Sequence, residues 1–204
     1  MQVPADAAPR PPDPPRARSF AAPDDVDEFV EMLGRFERGE IGAEAWRQFR
    51  LLRGTYGQRQ ADAHMQRVKI PQGVLSAAQL DALADVAEAH SRGFAHVTTR
   101  QNVQLHFVTA RGAEAAMRRL AEAGITTREA CGNSVRNVTA CPLAGVARDE
   151  VFDPTQYAEA FTRHFLRHPL SSSLPRKFKV AFEGCPVVDH AAAAIHDLGL
   201  VARR

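Results

Sequence analysis

The feature that most narrows the fold is a change of hydrophobic period inside one short stretch, residues 64–123. MQRVKI (65–70) alternates with period two, as a strand does, and PQGVLS (71–76) follows with turn-forming residues. Ser76 is placed to cap a helix in which Leu80, Leu83, Ala84 and Val86 form an apolar stripe, with Gly93 as its stop. FAHVTT (94–99) and VQLHFVT (103–109) read as strands, and residues 111–123 as a helix that turns Met117, Leu120 and Ala121 inward.

Strand, helix, strand, strand, helix is the order of a ferredoxin-like βαββαβ unit, which predicts a last strand near residues 125–130. The fold class is therefore α+β, with that half domain over 61–128 and a second, incomplete α+β domain over 129–204. In the second part a Gly-, Asn- and Cys-rich segment precedes a helix around 154–167 and a strand at KFKVAF (177–182). The final AAAAIHDLGLVARR predicts a helix ending at Gly199 and the beginning of one more strand. Ahead of the half domain, Val26, Phe29, Val30 and Leu33 recur at helical spacing behind Asp24 or Asp25 as cap. Trp46, Phe49 and Leu52 predict a second helix after Gly42, giving a helical extension over 24–60. Residues 1–23 hold seven of the 13 prolines and read as a disordered leader.

Apolar residues at 45% and charged residues at 25% suit a packed domain, and a net charge of +2 gives no global attraction to nucleic acid or membrane. No segment reaches the roughly 18 uninterrupted apolar residues of a membrane span, and the N-terminus lacks a secretory h-region. Cys131, Cys141 and Cys185 are an odd number without CxxC spacing, so a disulfide scaffold is not indicated, buried structural thiols are the default, and a reducing cytoplasm is the simplest compartment. The eight histidines have no HExxH or other ligand spacing, so no metal ligand is assigned. GxSxG, GxGxxG and GxxxxGK are all absent, which leaves a nucleophile elbow and nucleotide binding without support.

Three segments carry basic residues with little else to explain them: HVTTRQNVQLH (96–106), NSVRNVTACPLAG (133–145) and LPRKFKVAF (174–182). Strand alternation puts Arg100, Asn102, Gln104 and His106 on one face, with Val97, Thr99, Gln101, Val103, Leu105 and Phe107 on the other. Such a polar face is either solvated, as the outer face of an antiparallel sheet commonly is, or it meets a polar ligand. Arg136, Arg176, Lys177 and Lys179 in the other two segments favour a multiply anionic one, gripped by bidentate arginines and by lysine point charges.

In order and separation, TTRQNVQLH, VRNVTACPLAG and LPRKFK resemble the nitrite and sulfite reductase family, which uses siroheme coupled to an iron–sulfur cubane. YGQRQ (56–60), MQRVKIPQGVL (65–75) and RGFAHVTTRQ (92–101) extend the likeness over roughly residues 45–190. The resemblance implies a ferredoxin-like half domain followed by the start of the siroheme and 4Fe-4S domain. It also implies six-electron reduction of sulfite to sulfide or nitrite to ammonia, fed by ferredoxin or a flavoprotein. By similarity Arg100, Arg136, Lys177 and Lys179 are the catalytic cations around the substrate. Gln101, Asn102, Gln104, His106, Asn137 and Thr139 line the macrocycle or bond its carboxylates. The Lys177-x-Lys179 pair is more like sulfite reductases than plant-type nitrite reductases, and it sets the chain apart from a cobalamin-pathway oxygenase of related architecture. The family's four cluster cysteines, in two close pairs, match none of Cys131, Cys141 and Cys185, so the resemblance implies that the cluster ligands lie elsewhere, on a longer chain or a separate C-terminal half. Alternatives from other classes are an inactive fragment or tetrapyrrole-binding module, and an RNA-binding module, for which stacking aromatics are few.

Overall fold

The computed structural model describes residues 19–203. The leader expected over 1–23 lies, for residues 1–18, outside the described residues. Phe20 is already buried and its N–H donates to Gly124 O at 2.8 Å. Helix α1 (Pro23–Glu37) opens on a proline, whose missing N–H costs nothing in a first turn. Asp24 and Asp25 fall inside that turn, next to the positive end of the dipole; the N-cap is Ala22, not an aspartate. Helix α2 (Ala43–Leu52) follows Gly42, and Trp46 stacks against Phe36 and Phe49 with centroids 5.6 and 6.1 Å away.

Strands β1 (Thr55–Gly57), β2 (His64–Val68), β3 (Ala95–Val97) and β4 (Val103–Val108) form an antiparallel sheet in the order β1-β2-β4-β3. Helix α3 (Ala77–His90) connects β2 to β3 and helix α4 (Ala110–Glu122) follows β4, and with α1 and α2 they enclose one core around Phe29, Val68, Leu105 and Leu120. These side chains are fully buried, each contributing about 1.5–3 kcal/mol of transfer free energy. The class is α+β, as expected from the change of period.

Several details differ from expectation. The strand foreseen near 125–130 is reduced to one bridge, Lys69 with Thr126, because β1 takes the place beside β2. Gly54 makes this possible: at φ +79° it passes so close to Arg67 O and Thr127 O that a Cβ would meet them at 2.5 and 2.8 Å. On α3 the buried stripe is Gln79, Ala82, Leu83, Val86 and Ala87; Leu80 is 59% exposed and Ala84 is exposed too. Val97, expected opposite the polar face, is 83% exposed at the edge of the sheet. Residues 98–102 are a turn, closed by Thr98 N–H to Asn102 O at 2.9 Å, so Arg100 and Gln101 do not alternate as strand residues. Phe107 sits at φ +61° in a bulge: between the pairs Leu105–Gln66 and Val108–His64, two residues of β4, His106 and Phe107, oppose one of β2, Met65, and the alternation shifts there.

The second unit is a parallel sheet in the order β5-β6-β7, of β5 (Val135–Ala140), β6 (Phe178–Glu183) and β7 (Leu198–Val201). Helix α5 (Thr155–Phe165) crosses over between β5 and β6 and buries Ala158 against Val138, Ala140, Val180 and Phe182. The helix expected to end at Gly199 is replaced by one 3₁₀ turn, Ala193–Ile195. The Asp189 carboxylate takes the N–H groups of Ala193 and Ala194 at 2.7 and 3.0 Å, and pairing with Val180–Glu183 draws residues 198–201 into β7. Among the described residues no helix is long and apolar enough to cross a membrane.

Candidate functional site: a cationic seam between the two sheets

The turn 98–102 is built by its own side chains. Thr98 Oγ1 accepts from the N–H groups of Arg100 and Asn102 at 3.3 and 3.1 Å, and Gln101 adopts φ +55°. This points Gln101 at the end of β5, where its amide donates to Ala140 O at 2.7 Å and accepts from Ala140 N–H at 3.1 Å, acting as an extra strand residue. Asn137 Nδ2 donates to Ile70 O at 2.8 Å and Arg100 O at 3.0 Å, and Asn102 Oδ1 accepts from Ile70 N–H at 3.3 Å. Thr139 Oγ1 donates to Val180 O at 3.2 Å within the second sheet. Gln101 and Asn137 thus stitch the half domain to β5, while Asn102 ties the turn to Ile70 within the half domain.

Along the same seam the cations gather. Arg100 donates to Asn137 O and faces His196 Nε2. In the β5–β6 pair Val135 faces Phe178 and Val138 faces Val180, so two residues, Arg136 and Asn137, oppose the single Lys179. That bulge turns Arg136 out of the ladder, where it donates to Gly132 O at 3.1 Å. Lys179 is half-buried with its N–H on Asp197 Oδ2 at 2.8 Å, while Lys177 is exposed just before β6.

The seam also holds two cations that the sequence reading passed over. Arg67 on β2 stands opposite Gln104 on β4, and with the Gln104 amide turned so that its oxygen faces the guanidinium, that oxygen accepts from Arg67 at 2.5 and 3.1 Å. Lys69, buried, has Nζ 4.0 Å from Glu129 Oε2 and 3.5 Å from Val135 O. The available signal was the same as in RKFK: Arg67 and Lys69 are two apart in MQRVKI and leave one face of a strand together. His106 Nε2 meets His96 Nδ1 at 3.1 Å across β3 and β4.

Electrostatics follow this crowding. Burial and the neighbouring Arg136 bring Arg100 down to about 10, partly offset by Asp197. Burial, and then Arg67, lower Arg136 despite the nearby Cys131. Burial, His96 and Arg67 lower His106. Burial takes Lys69 down to about 8 against the pull of Glu129. The contacts of Arg67, Arg100 and Arg136 go to an amide, backbone carbonyls and an imidazole rather than to carboxylates, and Arg100 Nε and Asn137 Oδ1 are buried without partners. A seam of this kind suits an anion with several oxygens, the carboxylates of a tetrapyrrole included. A cubane is another matter. All three thiols are buried, as expected, but Cys131 sits at Gly54 O, 3.8 Å away, whereas Cys141 and Cys185 converge elsewhere; four thiolates do not come together on this chain.

Comparison with known proteins gives the same ordering. Residues 56–123 match the nitrite/sulfite reductase ferredoxin-like half domain, and residues 131–204 match the nitrite and sulphite reductase 4Fe-4S domain. A sulfite reductase (ferredoxin) of Mycobacterium tuberculosis is 38% identical over 141 residues, 69% of this chain and 25% of that protein. A ferredoxin–nitrite reductase of Leptolyngbya laminosa is 35% identical over 143 residues, 67% of this chain and 28% of that protein. The chain spans about a quarter of the length of the curated relatives it matches. Among solved structures, the Mycobacterium tuberculosis NirA protein superposes with a TM-score of 0.70 at 31% identity, over 85% of this chain and 37% of that one. A dissimilatory sulfite reductase I shares the fold at 20% identity and a TM-score of 0.60. With two consecutive domains of one family matched in order, on a structure whose half domain and parallel sheet meet along a seam of arginines, the chain belongs to the nitrite and sulfite reductase family.

Proposed function

We propose that the chain supplies the anion-binding side of a siroheme-dependent reductase that converts sulfite to sulfide or nitrite to ammonia. The observation that carries this is the convergence of Arg67, Arg100 and Arg136, with Lys179 across the bulge, in a seam where the guanidinia have no ion pair with a carboxylate among the described residues. Siroheme, when bound, would deliver electrons to the substrate anion. This chain's residues have the complementary tasks. Arg100, Arg136, Lys177 and Lys179, joined by Arg67, would neutralise the anion and the macrocycle carboxylates, and the lysine ammonium groups would donate protons as oxygen leaves as water. Gln104 and His106, on the open face of the sheet, are suited to meet carboxylates. Gln101, Asn102, Asn137 and Thr139, whose polar groups already bond main chain, would serve as positioning residues beneath them.

The relatives are named as ferredoxin-dependent sulfite and nitrite reductases, which supports ferredoxin over a flavoprotein as donor, and the Lys177-x-Lys179 pair supports sulfite as substrate. The thiolates of a cubane would come from outside residues 1–204, on a longer polypeptide or a separate C-terminal half. The scattering of the three cysteines equally favours a second reading, a tetrapyrrole-binding module without catalysis of its own. Titration with siroheme tests both. A Soret band should develop with one siroheme per chain, and Arg136→Ala or Arg67→Gln should weaken binding roughly 10–100-fold, the loss of a charge-assisted contact worth about 1.5–3 kcal/mol. Sulfite reduction from reduced methyl viologen separates the enzyme from the module. Absence of siroheme binding overturns both readings.

A further inference from the structure

Beside the seam, the second unit gathers a set of donors that the anion site does not use. Ala140 and Phe182 are partners in the β5–β6 ladder, and Cys141 N–H donates to Phe182 O at 2.9 Å, so Cys141 and Glu183 leave neighbouring strand ends together. Glu183 then folds the next loop back on itself: its two carboxylate oxygens accept from Cys185 N–H at 2.9 Å and Ala191 N–H at 2.7 Å. The fold-back returns His190 to the strand ends. As a result one ligand atom from each of Cys141, Glu183, Cys185 and His190 lies within 4.8 Å of all the others.

The environment suits a cation. Cys141, Glu183 and Cys185 are almost completely buried. His190 Nδ1 is also buried, has no hydrogen-bond partner and stands 3.9 Å from Glu183 Oε1. Among the described residues no lysine or arginine forms an ion pair with Glu183. A cleft lined by Glu183, Cys185, Asp189 and His196 opens beside the group and gives access from solvent.

We propose that Cys141, Cys185, His190 and Glu183 form a mononuclear site for a zinc-like transition-metal ion. Two sulfurs, an imidazole nitrogen and a carboxylate oxygen are a donor set that zinc takes in tetrahedral geometry, and they are soft enough to disfavour calcium or magnesium. Metal–sulfur and metal–nitrogen bonds of about 2.3 and 2.0 Å place neighbouring ligand atoms roughly 3.3–3.8 Å apart, so a contraction of about 1 Å from the present spread completes the shell. Both oxygens of Glu183 keep their backbone N–H partners, which orient the carboxylate for the ion. The site would tie the ends of β5 and β6 to the loop that leads into β7, one residue beyond the Gln101 clamp on Ala140. A four-thiolate cluster has too few sulfurs here, and a Cys141–Cys185 disulfide is the competing outcome.

The experiment takes the full chain, reduced and stripped with a chelator, and titrates it with Co²⁺ and then Zn²⁺. One Co²⁺ per chain is expected, with a thiolate charge-transfer band and tetrahedral ligand-field bands that Zn²⁺ abolishes. Cys141→Ser and Cys185→Ser should lose the charge-transfer band, and Glu183→Gln and His190→Ala should weaken uptake by about 10–100-fold or more. Cys131→Ser should bind as the parent does. His190 is a quarter exposed, so His190→Ala keeps the test valid if the serine variants fail to fold. The proposal is overturned by no uptake at all, by unchanged uptake in His190→Ala, by iron with acid-labile sulfide in the isolated protein, or by a Cys141–Cys185 disulfide in protein prepared without oxygen.

Discussion

Gln101 shows what a single position hides. Simple alternation makes it a strand residue facing away from Arg100, but the left-handed turn sends its amide to both polar groups of Ala140, 39 residues away. Nothing local encodes a partner at that distance. Replacing Gln101 by alanine deletes two hydrogen bonds and strands a buried N–H and C=O, which should cost roughly 1–3 kcal/mol in urea-induced unfolding. A loss under about 0.5 kcal/mol, the scale of an ordinary surface change, would mean that the clamp does not hold the seam. Arg67 is the opposite case. Its signal, a basic pair two residues apart in a strand, was as visible in MQRVKI as in RKFK, yet only the pairing with Gln104 separates it from a solvated side chain. Arg136 was legible as a cation but not as the residue that a bulge ejects opposite Lys179, since a bulge belongs to two strands at once.

Elements were most legible where their chemistry is local. The α3 cap is such a case: Ser76 Oγ accepts from Gln79 N–H at 3.3 Å, and Gln79 Oε1 accepts from Ser76 N–H at 3.0 Å, a reciprocal pair that four consecutive residues specify. Ser76→Ala should therefore lower stability by about 1 kcal/mol, read as a shift of the denaturation midpoint at unchanged slope. An unchanged midpoint would show that tertiary packing alone holds the first turn. The buried face of the same helix was harder, because a run rich in alanine offers a stripe on nearly any side, and the sheet selected Ala82, Val86 and Ala87 over Leu80. At the C-terminal end the error had a different cause. An alanine run favours helix, but the carboxylate of Asp189 and the open edge of β6 compete for the same backbone, and together they leave one 3₁₀ turn and a strand.

Across the whole molecule, the two units are joined by polar groups more than by a shared apolar core. Lys69 with Glu129, Gln72 with Thr162 at 3.1 Å, Asn137 with Ile70 and Gln101 with Ala140 all cross the seam. Of these, the buried lysine makes a pH-dependent prediction. Burial brings Lys69 from 10.5 to about 8, so between those values the unfolded chain holds a proton that the folded protein does not. Stability then rises with pH across the window from about 8 to 10.5, by up to roughly 3 kcal/mol, and below pH 8 the molecule carries the full cost of a buried ammonium. Other groups titrate in the same range, so the useful quantity is the unfolding free energy of the parent minus that of Lys69→Met. Methionine preserves most of the side-chain volume and has no proton to lose. That difference should increase steadily in favour of the parent from pH 8 to 10.5. A flat difference would mean that Glu129 fully compensates the ammonium, and that the seam holds its charge as a fixed ion pair rather than under strain.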